Sequence, residues 1–194
     1  MNKRKIGIDL DDTSIAFVAG LCVYLNRVYG GALTHQHFTT WHIHEVIGCD
    51  EEEATRRVAE FCHSDDHKAL DAITGAVESL QLLSAIFEPI AITARDAPHA
   101  PLMLPIVERH FGNLFTDVHF LGHHKSKGDM CVELGIHFMV DDGLHNADSV
   151  GTQGIRVYLM DQPWNQCDVL PPNTIRVYSW EDIVRLELGY NAPR

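Results

Sequence analysis

The sequence predicts an α/β fold: a Rossmann-like parallel sheet flanked by helices, with a small helical cap inserted after the first strand. Three observations predict it. Short apolar runs recur along the chain, each followed by a polar turn and a helical pattern, which is how strands joined by crossover helices read. Two of these runs end in neighbouring carboxylates. Between the first run and the second lie roughly eighty residues with no strand pattern, too many for one crossover.

The first run, residues 5–10, leads through Ile6, Gly7 and Ile8 into Asp9, Asp11 and Asp12. Residues 14–29 then carry Ile15, Val18, Leu21, Cys22, Leu25 and Val28 at helical spacing, closed by Gly30 and Gly31. Asp50 is placed to cap a second helix, whose first turn of Glu51, Glu52 and Glu53 complements the helix dipole. A third helix over residues 72–86 leads back to the sheet. Residues 30–68 are read as the cap, and residues 1–29 with 69–194 as the α/β core. Further strands are expected at 89–93, 117–121, 137–140, 155–160 and 174–178, with a helix at 128–134.

The 194 residues, 45% of them hydrophobic, suit one domain carrying a small insertion. With 15 Lys+Arg against 27 Asp+Glu, the formal charge of −12 repels nucleic-acid backbones, so long DNA or RNA is excluded as a partner. A small phosphorylated substrate is still admitted, because a local metal overrides the global field. Five scattered cysteines without a CxxC pair fit free thiols in a reducing compartment. The basic start, residues 1–5, is followed by an apolar run that stops at Asp9, too soon for a secretion signal. No stretch reaches membrane-spanning length. A cytoplasmic protein is expected, and assembly as a homodimer is left open.

In a parallel sheet, residues at the carboxyl ends of strands emerge on one edge, where sites form. That edge gathers Asp9 and Asp11 with Asp141 and Asp142, which end the run Phe138, Met139, Val140. Such carboxylates repel one another without a cation. Hard oxygen ligands suit Mg²⁺. The third strand-end group is Thr93, followed by Ala94 and Arg95; Lys125 and Lys127 precede the helix at 128–134. A hydroxyl, free backbone N–H groups and an ammonium can hold the non-bridging oxygens of a phosphoryl group. Each of these residues alone is commonplace. Their order at successive strand ends is not.

In that order the motifs Asp9-Leu10-Asp11-Asp12-Thr13, Thr93, Lys127 and Asp141-Asp142 resemble the haloacid-dehalogenase-like phosphatase superfamily. Asp12 stands where the commoner form has Gly. The segment Tyr158-Leu159-Met160-Asp161-Gln162-Pro163-Trp164-Asn165 and the later Arg176-Val177-Tyr178-Ser179-Trp180-Glu181 are similar to the 5′(3′)-deoxyribonucleotidase-like group. The resemblance implies a Mg²⁺-dependent phosphomonoesterase acting through an aspartyl-phosphate, with a nucleotide as substrate. It implies Asp9 as nucleophile and Asp11 as proton donor and later water activator. Asp9, the backbone carbonyl of Asp11, and Asp141 or Asp142 would hold the metal; which of the two neighbours touches it is open. Thr93 and Ala94 would bind phosphoryl oxygens. Lys127 is preferred to Lys125 because it directly precedes the helix, as the family's lysine does.

Arg95 is read as a contact to the leaving group or a partner for nearby acids, and Phe38 and Trp41 as candidate stacking partners for a substrate base. The two His-x-His pairs at 35–37 and 42–44 match no standard structural zinc spacing and read as polar cap surface. Trp164 and Asn165 are placed at the site's rim or packed beneath it, and Cys131 is read as core. A phosphatase for a non-nucleotide metabolite is the nearest alternative. A receiver domain is the other, but it needs neither the long helical insertion nor a second carboxylate at Asp11.

Overall fold

The computed structural model describes residues 3–122 and 125–189, so the first two residues of the basic start lie outside it. Among the described residues the strands are β1 (Arg4–Ile8), β2 (Phe87–Thr93), β3 (Asp117–Phe120), β4 (Ile136–Asp141), β5 (Arg156–Met160) and β6 (Thr174–Val177). They form one sheet in the order β3-β2-β1-β4-β5-β6, and every neighbouring pair is parallel. Each expected strand is present. The helices are α1 (Phe17–Tyr29), α2 (Ile43–Ile47), α3 (Glu51–Cys62), α4 (Asp65–Lys68), α5 (Ala76–Ser84), α6 (Ala100–Phe111), α7 (Lys127–Leu134), α8 (Leu144–Gly151) and α9 (Trp180–Leu188).

Strand alternation explains the two apolar layers. Ile6, Ile8, Ala91, Phe138, Val140 and Tyr158 face one side, with α5, α6 and α9 contributing Leu80, Ile106 and Ile183 to the same core. Ile90, Ile92, Met139, Val157 and Leu159 face the other, where Cys131 of α7 and Val150 of α8 pack. Both faces are covered, so the strands read as apolar runs rather than alternating ones. Cys131 is fully buried, as a core residue should be.

The region between β1 and β2 is helical, as expected for a cap inserted after the first strand. Asp50 does cap α3, accepting a hydrogen bond from the Glu53 backbone N–H. Two helix starts differ from the periodicity. α1 begins at Phe17 rather than residue 14, and α5 at Ala76 rather than 72. The cause is a tertiary pairing: Ala16 N–H bonds Asp71 O, and Ile73 N–H bonds Ser14 O, holding both segments extended. Gly75 then turns the chain at φ 79° into α5.

Candidate active site

β1 stops at Ile8, but its sheet bonding carries one residue further, through Asp9 N–H to Val140 O at 2.9 Å. Asp9 therefore leaves the sheet edge beside the end of β4, where Asp141 and Asp142 emerge. The chain turns immediately afterwards. Asp12 takes φ 52°, the left-handed region that Gly enters freely and Asp tolerates better than most residues. That is the physical reason a Gly is common at this point in the motif. Asp12 adds something Gly lacks: its carboxylate accepts the Val18 N–H at 2.9 Å and caps the first turn of α1. The turn is braced from the C-terminal half by Gln162, bonded to Asp12 O, and by the Trp180 indole, bonded to Thr13 O.

Lys127 is the first residue of α7, behind the Ser126 cap. Its Nζ lies 2.7 Å from Asp9 Oδ1 and 2.7 Å from Asp141 Oδ2, almost entirely buried. Lys125 instead forms an exposed ion pair with Glu133. The register preference for Lys127 thus coincides with the lysine that faces the acids. Asp141 accepts three bonds: Oδ1 takes Gly143 N–H at 2.8 Å and Asn146 Nδ2 at 3.0 Å, while Oδ2 takes Lys127 and keeps one lone pair. Asp142 accepts one bond at each oxygen, from Thr13 Oγ1 at 3.2 Å and from Trp164 Nε1 at 2.8 Å. Each of its oxygens keeps a lone pair for another partner.

Asp9, Asp141 and Asp142 offer oxygen atoms that lie within 4.8 Å of one another, and all three are buried. Burial raises the Asp9 carboxyl to about 7, against the lowering effect of Lys127 and with a further push from Asp141. Burial also drives Asp142 well above the usual carboxylate range, helped by Asp9 and Asp141. On Lys127 the burial cost is outweighed by Asp141 and Asp9, which hold it firmly protonated. Several buried acids against one buried ammonium is an anionic excess that a cation corrects. All-oxygen donors at this spacing fit a hard divalent ion.

Asp9, Asp11 and Asp142 line a cavity of about 510 Å³ that Thr93, Ala94, Arg95, Lys127, Trp41 and Ile43 also line. Thr93 ends β2, and its Oγ1 accepts the Arg95 N–H at 3.2 Å. Arg95 forks onto Asp11: Nε reaches Oδ2 at 2.6 Å and Nη2 reaches Oδ1 at 3.0 Å. Its guanidinium lies 4.8 Å over the Phe17 ring. Arg95 thus pairs with a nearby acid while also lining the cavity. Trp41, 42% exposed, borders the cavity as expected. Phe38 does not. It is 1% exposed within the apolar core and is corrected from stacking candidate to packing residue, because the turn after His37 points it inward. His145 and Asn146 at the start of α8 also line the cavity and were not singled out from the sequence. Their only sequence signal was proximity to Asp142, which spacing alone does not distinguish from helix surface.

Among solved structures the chain resembles a haloacid-dehalogenase-like family hydrolase from Streptococcus pneumoniae (TM-score 0.71, 13% identity, covering 95% of this chain and 98% of that one). It also resembles a HAD hydrolase from Bacillus subtilis bound to magnesium (TM-score 0.65, 14% identity, 96% and 99% covered). A third is a HAD family hydrolase from Deinococcus radiodurans with bound phosphate and sodium (TM-score 0.66, 13% identity, 95% and 94% covered). A search of curated protein sequences finds no match. The fold is thus that of the haloacid-dehalogenase-like hydrolases. The family model described as 5′ nucleotidase, deoxy (pyrimidine), cytosolic type C protein matches residues 3–189, and the chain belongs to that family. No helix among the described residues is long and apolar enough to cross a membrane.

Proposed function

We propose that the protein is a Mg²⁺-dependent phosphomonoester hydrolase of nucleotidase type that works through an aspartyl-phosphate on Asp9. The observation that carries this is Lys127 bridging Asp9 and Asp141 beside Asp142, at the floor of the cavity that Thr93 also lines. Asp9 and Asp142, with the backbone carbonyl of Asp11, would hold the ion. Asp142 is chosen over Asp141 because three donors already occupy Asp141. When bound, the ion supplies charge neutralisation between a carboxylate and an anionic substrate.

The chain's own groups divide the remaining work. The phosphoryl oxygens are received by Thr93 Oγ1, the backbone N–H of Ala94 and the Lys127 ammonium. An Asp9 oxygen attacks phosphorus, and the ester oxygen departs with a proton from Asp11, which must first take one up against the ionised form that the Arg95 fork favours. Asp11, now ionised, takes a proton from the water that attacks the acyl phosphate, releasing phosphate and regenerating Asp9. Residues 30–68 act as the cap over this step and bring Trp41 to the cavity, where an indole face suits a nucleobase. A small phosphorylated metabolite, a nucleotide foremost, is the substrate class.

The test is a panel of nucleoside monophosphates, sugar phosphates and phosphorylated amino acids, each assayed with Mg²⁺ and then with EDTA. Nucleotides are expected to lead the panel, with turnover abolished by EDTA. Turnover that survives complete chelation would overturn the metal reading; a sugar phosphate leading by tenfold or more would overturn the nucleotide reading alone.

A further inference from the structure

Asp142 is held on one oxygen by an indole, an unusual donor for a carboxylate at the bottom of an acidic site. Trp164 Nε1 donates to Asp142 Oδ2 at 2.8 Å. Both residues are buried, Asp142 2% and Trp164 7% exposed. An indole N–H donates only and cannot reverse its role, so this bond always orients the carboxylate the same way. Thr13 Oγ1 holds the other oxygen from the turn after the neighbouring parallel strand β1.

The turn that carries Trp164 is itself rigidly built. Asn165 Nδ2 bonds Asp142 O at 2.8 Å and Met160 O at 2.7 Å, tying the turn after β5 to the loop after β4. Arg176 of β6 bonds Asp161 Oδ1, Asn165 Oδ1 and Asn165 O, at 2.7, 2.6 and 2.7 Å, closing the turn from the sheet edge. On its other side the Trp164 ring meets His35 and Trp41 of the inserted segment, centroids 5.1 and 4.8 Å away. One side chain therefore touches a candidate metal ligand and the segment that borders the substrate cavity.

We propose that Trp164 is the positioning residue for the metal, fixing the orientation of the Asp142 carboxylate through its indole N–H. This rests on the reading of Asp142 as a direct metal ligand. Groups that hold a metal's ligands are commonly worth 10- to 100-fold in affinity. Removing the N–H while keeping an aromatic ring leaves Asp142 held by Thr13 Oγ1 alone, so part of the ordering supplied by the fold must be met on binding.

The experiment titrates Mn²⁺ alone into purified protein, without substrate, following free Mn²⁺ by electron paramagnetic resonance. Wild type, Asp142→Asn and Trp164→Phe are compared, with folding checked by circular dichroism in EDTA. The expected result is binding by wild type, none by Asp142→Asn, and a dissociation constant raised on the order of 10-fold in Trp164→Phe. High Mg²⁺ should then restore most of the turnover of Trp164→Phe, which a packing defect would not allow. Equal Mn²⁺ affinity in wild type and Trp164→Phe overturns the role of Trp164 and leaves the metal site standing. Wild-type affinity retained by Asp142→Asn overturns the ligand reading, and this inference with it. If Trp164→Phe fails to fold, the ¹⁵N-labelled wild-type indole of Trp164, assigned by its contacts with His35 and Trp41, decides the matter. Its N–H resonance should move on addition of Mg²⁺; an unmoved resonance overturns the proposal.

Discussion

Asp9 owes its character to its neighbours: burial raises its proton affinity, and Lys127 opposes that rise. A charge held at such cost is a candidate for chemistry rather than for stability. Asp9→Asn is expected to abolish turnover, by on the order of 10³-fold or more. It should leave the melting temperature in EDTA unchanged or higher, since it removes one of several crowded acids and Lys127 keeps Asp141. Retained turnover would refute the assignment of the nucleophile. Arg95 gives a second prediction. Its fork fixes the plane of the Asp11 carboxyl, so Arg95→Met should harm esters that need a proton on departure more than those that do not. Losses on the order of 10²-fold are expected for an alkyl phosphate, and clearly smaller ones for p-nitrophenyl phosphate. Equal losses would assign Arg95 to substrate binding instead.

Helix α7 presents Lys127 because of where it is seated. A Cβ at Gly128 would overlap the backbone carbonyl of Ser149 in α8, so the two helices approach as closely as they do only with Gly there. Gly128→Ala must push α7 outward and take Lys127 with it. A destabilisation of about 1–3 kcal/mol is expected, with a disproportionate fall in kcat/KM, measured by denaturant titration and steady-state kinetics. Helix α4 offers a pH prediction. His67 is fully buried against Phe17 and Phe61, and no hydrogen-bond partner for its ring nitrogens lies among the described residues. Burial, then Arg95, lower its proton affinity from the ordinary 6.5 to about 4; Asp11 opposes this, while His63 and His99 add to it. Because the folded state disfavours the proton, this contribution is fully present above about pH 6.5 and is lost as pH falls towards 4. The loss amounts to at most about 3 kcal/mol. His67→Phe should flatten the melting temperature between pH 6.5 and 4.5; an unchanged slope would show that other groups drive the acid transition.

Across the chain as a unit, an ion held by the carboxylate cluster would make folding and metal binding one equilibrium. Mg²⁺ at a hundred times its dissociation constant should stabilise the protein by about 2.7 kcal/mol, a rise in melting temperature of roughly 5–10 °C for a chain of this size. The rise should vanish in Asp142→Asn, and a rise that persists there would place the ion elsewhere.

Much of this was legible from residue order alone. Six strands, their parallel pairing and the gathering of Asp9, Thr93, Lys127 and Asp141-Asp142 on one edge follow from apolar runs alternating with helical patterns. Chain direction does that work, because in a parallel sheet every strand delivers its last residue to the same side. The periodicity extends the two helices over residues 14–16 and 72–75, which the structure leaves outside them because bonds between the two segments hold the chain extended there. Phe38 and Trp41, three apart and both aromatic, look alike in sequence, yet one is core and the other borders the cavity.

The sequence by itself determined the fold class and the chemistry of the edge, both of which depend on local patterns and on the polarity of the chain. Tertiary structure alone decided how the acids share their partners: Asp141 held by Lys127, Gly143 and Asn146, Asp11 gripped by Arg95, Asp142 turned by an indole from 22 residues downstream. Those assignments depend on positions set to within a few tenths of an ångström by the packing of several elements, which spacing along a sequence does not encode.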